Sequence, residues 1–203
     1  VAAGGGAAGG WVELARTTLG GTSSNIAVTG LADKRYYMVL QSLIPTASLD
    51  GALRINNDSG SNYAMRDSRN GASDNTSPNT TSHNLTPAHT PSQPFFHVSY
   101  HSNLSSKEKL HLIHSVYEET AGAGTAPRRL EVAGKWANTS VPISQFNAIA
   151  GTSTYASGSE VVVLGWDPAD THTTNFWEEL ASVELGAEAD ELSSGTITAK
   201  KYL

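Results

Sequence analysis

Two pairs of histidines have a spacing that could hold a metal ion. His97 and His101 lie four residues apart, and His111 and His114 lie three apart. Residues four apart on a β-strand share a face, whereas residues three apart lie on opposite faces. Imidazole nitrogens are common ligands of zinc. His97 and His101 are therefore candidate metal ligands, joined by at most one of the second pair. The alternative is histidines of a polar face or an interface.

An oxygen-rich run at residues 56–62 is the second candidate for binding an ion. It reads Asn-Asn-Asp-Ser-Gly-Ser-Asn, and the side-chain oxygens of Asn56, Asp58 and Asn62 are candidate calcium ligands. The run lacks the closing glutamate and the spacing of an EF-hand loop. A tight turn accounts for the same residues without an ion, because Asp can bond to its own backbone and Gly tolerates positive φ. No other cofactor is indicated.

The sequence contains few residue patterns that would indicate a catalytic site. The chain has no cysteine and no Gly-x-Ser-x-Gly run, which removes a thiolate nucleophile and the usual serine elbow. Glu118, Glu119 and Glu131 could supply paired carboxylates for glycoside hydrolysis, but their spacing fits solvated strand ends equally well. We therefore expect no catalytic residue and no enzymatic activity.

Asn-x-Ser/Thr sequons are the most numerous motif. Glycans at these positions would indicate an extracytoplasmic protein. A polar, low-complexity composition raises the number of such motifs as well, so both interpretations stay open. The six asparagines are Asn57, Asn75, Asn79, Asn84, Asn103 and Asn138.

The last 27 residues repeat an early part of the chain. Residues 177–203 align without a gap on residues 11–37 at a constant offset of 166, and eight of the aligned positions are identical. Self-similarity at a long, fixed period is typical of tandem arrays, which are usually structural or adhesive. The candidate assembly residues from the two copies are Trp11, Tyr36, Trp177, Leu180, Leu185 and Tyr202.

The repeat divides the chain into four parts. Residues 1–10 are almost all Gly and Ala, which predicts a flexible lead-in. Residues 11–166 form one repeat unit and residues 167–176 a linker. Residues 177–203 are either the opening strands of a second unit or exchanged strands, which would take the place of the first strands in a neighbouring chain.

Short alternating runs separated by Gly, Pro, Asn and Asp predict β-strands throughout the unit. Residues 35–44 are apolar on both faces, which predicts a central or covered strand. Residues 52–56 and 62–67 predict a hairpin, and residues 68–92 predict a long polar loop. No segment has a sustained helical period. We expect an all-β fold, an antiparallel, jelly-roll-like β-sandwich of about nine or ten strands.

Composition excludes several classes of partner. The net charge is −6 and 16% of the residues are charged, with no basic stripe, so nucleic acid is not expected. No apolar run reaches the roughly 18 residues of a membrane-spanning helix, so membrane insertion is not expected. Abundant Ser, Thr, Asn and Gly suit a β-rich extracellular or particle-surface protein.

One segment carries a family resemblance. The run Leu-Arg-Ile-Asn-Asn-Asp-Ser-Gly-Ser-Asn-Tyr at 53–63 resembles a recurrent segment in tail-fibre, appendage and particle-surface proteins of bacterial and archaeal viruses. Residues 114–116, 121–127 and 134–140 are similar to segments of long tandem-repeat proteins of this kind, and the shared order of elements covers residues 18–165. The resemblance implies a non-enzymatic structural or adhesive module, with no catalytic residue to carry over.

These observations predict a structural or assembly module of a virus particle or extracellular fibre, with attachment as a further role. The expected partners are copies of the chain in a homo-oligomer or filament, and a host surface glycan or receptor. The expected location is the virion surface or the cell exterior.

Two alternative functions stay open. A carbohydrate-binding β-sandwich would carry a groove lined by exposed Trp or Tyr, and a cell-surface adhesin or surface-layer repeat would bind calcium at its loops.

Overall fold

A computed structural model describes residues 10–86, 93–118, 120–168, 180, 191, 193–197, 199 and 200. These residues form β-strands and no helix. The strands are β1 (Val12–Thr18), β2 (Asn25–Val28), β3 (Tyr36–Leu43), β4 (Gly51–Ile55), β5 (Tyr63–Arg69), β6 (Asn75–Thr80), β7 (His83–Thr86), β8 (Phe95–Ser102), β9 (Lys109–Tyr117), β10 (Arg128–Trp136), β11 (Phe146–Ile149) and β12 (Glu160–Trp166).

The strands form two antiparallel sheets around a shared core. The large sheet has the order β1-β12-β3-β8-β9-β10-β5-β6, and the small sheet has the order β2-β11-β4-β7. Neither sheet closes into a barrel. The face of the large sheet that packs on the small sheet is its inner face, and the opposite one is its outer face. The prediction of an all-β, antiparallel, sandwich-like fold is confirmed, although the described residues form 12 strands rather than nine or ten.

Strands from the two ends of the chain pair in a nested order. The first strand pairs with the last, β2 pairs with β11, β3 with β8, and β4 with β7. The hairpins β5–β6 and β9–β10 lie outside this nest and widen the large sheet on one side.

β3 lies between β12 and β8 and is buried on both faces, as its sequence predicted. Tyr37 and Val39 belong to the main core between the sheets. Met38 and Leu40 belong to a second, smaller cluster on the outer face, formed with residues of β12. A strand with a covered surface on each side favours an unbroken apolar run over alternation.

The predicted polar loop at 68–92 is wrong, because much of it forms strands. β5 continues to Arg69, β6 lies at the edge of the large sheet, and β7 lies at the edge of the small sheet. β6 reads Asn-Thr-Ser-Pro-Asn-Thr and is mostly exposed, so no apolar alternation marks it. Backbone pairing with β5 forms it instead, and an edge strand tolerates both polar residues and proline.

The predicted hairpin around Asp58 is also wrong. β4 belongs to the small sheet and β5 to the large one, so residues 56–62 cross between the sheets. The Tyr63 hydroxyl braces this crossing: it accepts the Ile55 N–H at 3.0 Å and lies 3.1 Å from the carbonyl oxygens of Ile55 and Asp58. The alternation of apolar and polar residues fits both a hairpin and a crossing between sheets, because it shows only that one face of each strand is buried.

Candidate functional site

From residue 96 to residue 101, β8 turns its polar side chains inward and its apolar side chains outward, whereas Phe95 before them is buried in the core. His97, Ser99 and His101 are buried between the sheets. Phe96 and Tyr100 point the other way and are 41% and 44% exposed. This is the reverse of what a strand over a hydrophobic core usually shows.

β9 continues the outward apolar row beside β8, with His114 among its outward side chains, while Ile113 and Tyr117 are buried in the core. His111 and Ser115 are buried, whereas Leu110, Leu112 and Val116 are 59%, 54% and 48% exposed. Because the two strands are adjacent, their outward side chains form one continuous patch. We call this patch the outer apolar face, and it consists of Phe96, Val98, Tyr100, Leu110, Leu112 and Val116.

Charged side chains border the outer apolar face along β10. Lys135 Nζ donates to Glu108 Oε2 at 2.8 Å, and Arg129 Nη1 lies 3.7 Å from Glu131 Oε1. An apolar centre with a charged, solvated margin is the usual anatomy of a protein–protein interface.

Four aromatic rings pack together at one end of the outer apolar face. Tyr36 stacks on Trp166 with ring centroids 5.3 Å apart, and Trp11 lies 6.3 Å from Trp166 and 6.5 Å from Tyr100. Offset and tilted pairs of this kind stabilise beyond the area that they bury. We call these four residues the aromatic cluster. It contains two of the predicted assembly residues, Trp11 and Tyr36.

Of the four remaining predicted assembly residues, the structure describes Leu180 alone. Leu180 is half-buried and belongs to no strand. Trp177, Leu185 and Tyr202 lie outside the described residues.

A groove of about 800 Å³ starts at the aromatic cluster and continues over β9, β10 and β5. Leu110, Leu112 and Ala133 line its middle, and Arg66 and Lys135 supply its cations. Its described lining contains no carboxylate, so it offers no acid–base pair for glycoside hydrolysis.

The carboxylates considered for hydrolysis lie elsewhere. Glu131 faces Arg129 on the border of the outer apolar face, and Glu118 is half-buried directly after β9. Glu119 lies outside the described residues.

Three histidines meet on the inner side of the same strands, and we call them the histidine cluster. His101 Nδ1 lies 2.9 Å from His111 Nδ1, and the His111 ring stands 4.6 Å from the ring of His83 on β7. Neither ring nitrogen of His83 has a hydrogen-bond partner, and His111 Nε2 also lacks one. His83 was not among the candidate residues, because it lies in the segment that its composition predicts to be a loop.

Burial keeps the histidine cluster uncharged. It lowers the pKa of His83 to about 4. Burial, and next the charge on His83, lower the pKa of His101 to about 3. The pKa of His111 is held well below its usual range by burial and then by the charges on His101 and His83. An imidazolium cannot be solvated between the sheets, so the neutral rings are favoured.

The predicted metal pair, His97 and His101, has different partners. His97 Nδ1 hydrogen-bonds to Ser115 Oγ at 2.5 Å, while His101 contacts His111. His114 is exposed on the outer face, so only one member of the second pair joins the first. Among the described residues, no group of three or more His, Cys, Asp or Glu side chains is arranged to hold a metal ion.

The three predicted calcium ligands do not converge. Asp58 accepts hydrogen bonds from the Gly60 N–H at 2.8 Å, Asn62 Nδ2 at 2.9 Å and Trp136 Nε1 at 2.7 Å. Burial raises the pKa of Asp58, but these three hydrogen bonds and the charge on Arg54 together outweigh burial and lower it. Asn56 turns away, and its Oδ1 accepts the N–H groups of residues 144 and 145. The oxygens therefore hold the sheet crossing together.

The sequons differ in exposure. Asn57, Asn75 and Asn79 are exposed, and Asn84 and Asn138 are half-buried. Asn103 is a different case, and its prediction as a glycan site does not fit the folded structure. It is 7% exposed, and its Nδ2 donates to Asp33 Oδ1 at 2.7 Å and to the Lys34 carbonyl at 2.9 Å. A glycan on this nitrogen would break both bonds.

The described residues include no helix that could cross a membrane. Comparison of the chain with protein-family models, curated proteins and solved structures finds no match.

Proposed function

We propose that this chain is a structural module that assembles with further copies of the same unit through its outer apolar face, in a virus particle or an extracellular fibre. The observation that carries the proposal is the row of exposed apolar side chains on the outward side of β8 and β9. Apolar surface contributes to stability only when it leaves water. A contiguous apolar patch with a charged border is accordingly a mark of an interaction surface.

The partner that best fits this face is another unit of the same kind. β12 ends at Trp166, within the aromatic cluster, and the sequence of the first strand starts again at Trp177. Ten intervening residues span at most about 35 Å. A following unit would therefore be tethered near the outer apolar face, where a short linker gives effective concentrations in about the millimolar range.

The strand order supports a jelly roll with two inserted hairpins. Without β5–β6 and β9–β10, the sheets read β1-β12-β3-β8 and β2-β11-β4-β7. An eight-stranded jelly roll is a long hairpin folded over on itself, which gives this nested pairing of first with last strands. Viral capsid domains and lectins share that architecture, in line with a location on a virion or cell surface.

The test is the state of association of the full chain. Leu110→Lys combined with Leu112→Lys places two cations on the outer apolar face, beside the aromatic cluster, where desolvating them is costly. We expect the unmodified chain to self-associate in sedimentation velocity and the double variant to be monomeric. Val141→Lys replaces an exposed apolar residue away from this face and should leave association intact. An unmodified chain that stays monomeric at high concentration would refute the proposal.

One observation favours a second candidate, a carbohydrate-binding module. The aromatic cluster borders the groove, and Tyr100 is 44% exposed there, so a sugar ring could stack on it. With no carboxylate in the described lining, such a module would bind glycan without cleaving it. Glycan-array binding that is lost in Tyr100→Ala would support this candidate over assembly, provided that the unmodified chain is monomeric.

A further inference from the structure

The first strand of the unit is matched to a buried carboxylate on the last. Glu160 is 5% exposed and lies directly opposite Thr18 in the β1–β12 pairing. Thr18 Oγ1 donates to Glu160 Oε2 at 2.6 Å, and Arg16 Nη1 lies 3.9 Å from the same oxygen. Arg16 also bonds to Glu13 on its own strand. One guanidinium therefore serves two carboxylates.

The second copy of the segment changes these two partners of Glu160. At the constant offset of 166, Arg16 becomes Ser182 and Thr18 becomes Glu184, while Glu13 stays as Glu179. If residues 178–184 took the place of β1, Glu184 would lie directly opposite Glu160, and a serine would stand in place of Arg16. Like charges directly opposite on paired strands are destabilising, the more so when one of them is buried.

The apolar contact of the strand does not distinguish the copies. Leu14 packs so closely on Gly165 that a Cβ there would come within 2.6 Å of its Cδ1. The second copy keeps a leucine at this position, Leu180. Selection between the copies must therefore come from other positions, among them Val12, whose counterpart is Glu178.

Positions after the first strand add to the mismatch. Val28 is 1% exposed in β2, and its counterpart is Ser194. The buried Tyr37 hydroxyl lies 3.0 Å from the Ala32 carbonyl and 2.9 Å from the Ile143 carbonyl, and its counterpart is Leu203. Serine in place of Val28 would bury a hydroxyl, and leucine in place of Tyr37 would leave part of its site empty. Both changes would destabilise the fold.

We infer that Glu160 is a selectivity residue: the edge of β12 accepts residues 12–18 and rejects the repeated segment at 178–184, so neighbouring units do not exchange first strands. This rests on the tandem-unit part of the proposed function and sharpens it. Units then meet as closed domains, through surfaces such as the outer apolar face, and do not interlock by strand exchange. The exchange alternative raised by the repeat is thereby disfavoured.

The test replaces two polar residues of β1 with the residues that stand at the same positions in the repeated segment. In the full chain carrying Leu110→Lys and Leu112→Lys, association through the outer apolar face does not contribute. Arg16→Ser with Thr18→Glu is expected to lower Tm by about 4 °C or more. Glu160→Gln added to these changes should recover most of the loss, because it removes the repulsion and keeps the shape. Thr22→Glu, an exposed carboxylate beyond β1, is the control and should leave Tm unchanged.

A second readout measures exchange directly. Isotope-labelled and unlabelled chains of the same Leu110→Lys and Leu112→Lys background are incubated together and examined by native mass spectrometry. We expect no dimers of mixed mass. Mixed dimers, or a Tm loss that Glu160→Gln does not recover, would overturn the inference. If only the proposed assembly is wrong, the unmodified chain is monomeric, while the Tm changes and the absence of mixed dimers stay as expected.

Discussion

His101 Nδ1 lies 2.9 Å from His111 Nδ1 in the space between the two sheets. One nitrogen must carry the hydrogen and the other must accept it, so the contact is a hydrogen bond only while at least one ring is neutral. His83 closes the cluster from the small sheet, through the edge strand β7. The packing of the two sheets at this point therefore depends on uncharged imidazoles.

Stability should fall as the solution becomes acidic. An unfolded histidine titrates near pH 6.5, whereas the folded pKa values of His83 and His101 are about 4 and about 3. Between these limits the unfolded chain binds more protons, so stability is fully present above about pH 6.5 and is lost as pH falls toward 4. At pH 5 we expect a loss of about 2 kcal/mol for each of the two histidines, read from urea unfolding at pH 7.5 and pH 5.

The matched control for this pH dependence is His114→Gln. His114 lies on β9 like His111 but is exposed on the outer face, so its removal should leave the dependence unchanged. Equal unfolding midpoints at the two pH values in the unmodified chain would contradict the role of the buried cluster.

Gly134 fixes how closely β10 approaches the histidine cluster. A Cβ at this position would lie 2.6 Å from His83 Cε1, a distance that real Cβ atoms do not show. We expect Gly134→Ala to destabilise the protein by about 1–3 kcal/mol through overpacking, measured by urea unfolding. Gly124→Ala is the control, because nothing lies within 4 Å of its added Cβ. Equal midpoints for the two variants would show that β7 moves aside without cost.

The sequence predicted strands well and their pairing poorly, for one physical reason. A period of two residues shows that one face of a segment is buried, and this is why β3, β8 and β9 were predicted as strands. It does not show which strand lies alongside. The segments before and after Asp58 alternate cleanly, yet they enter different sheets. β6 has no buried face and is held by hydrogen bonds to β5, so no apolar pattern could mark it.

The candidate site was hidden by the same limitation. Alternation grouped Phe96 with Tyr100, and His97 with His101, but it could not tell which set faces the core. Ordinary hydrophobic burial favours the aromatic side inward, and the structure has it outward. Self-similarity of the chain was the more informative signal, since it selected Trp11 and Tyr36, and both proved to be members of the aromatic cluster.

Asp58 should be a structural anchor that needs no ion. Its carboxylate accepts hydrogen bonds from Gly60, Asn62 and the buried Trp136 indole, and thus ties the sheet crossing to the end of β10. Asp58→Ala leaves the Trp136 N–H without a partner, and we expect a loss of about 1–3 kcal/mol in the free energy of unfolding. Asp74→Ala is the matched control, because it removes an exposed carboxylate 3.6 Å from Arg66 and should cost about 1 kcal/mol or less.

The measurement is urea unfolding with and without a chelator. We expect the chelator to leave the midpoint of the unmodified chain unchanged, and a midpoint that falls on chelation would instead assign these oxygens to a bound calcium ion.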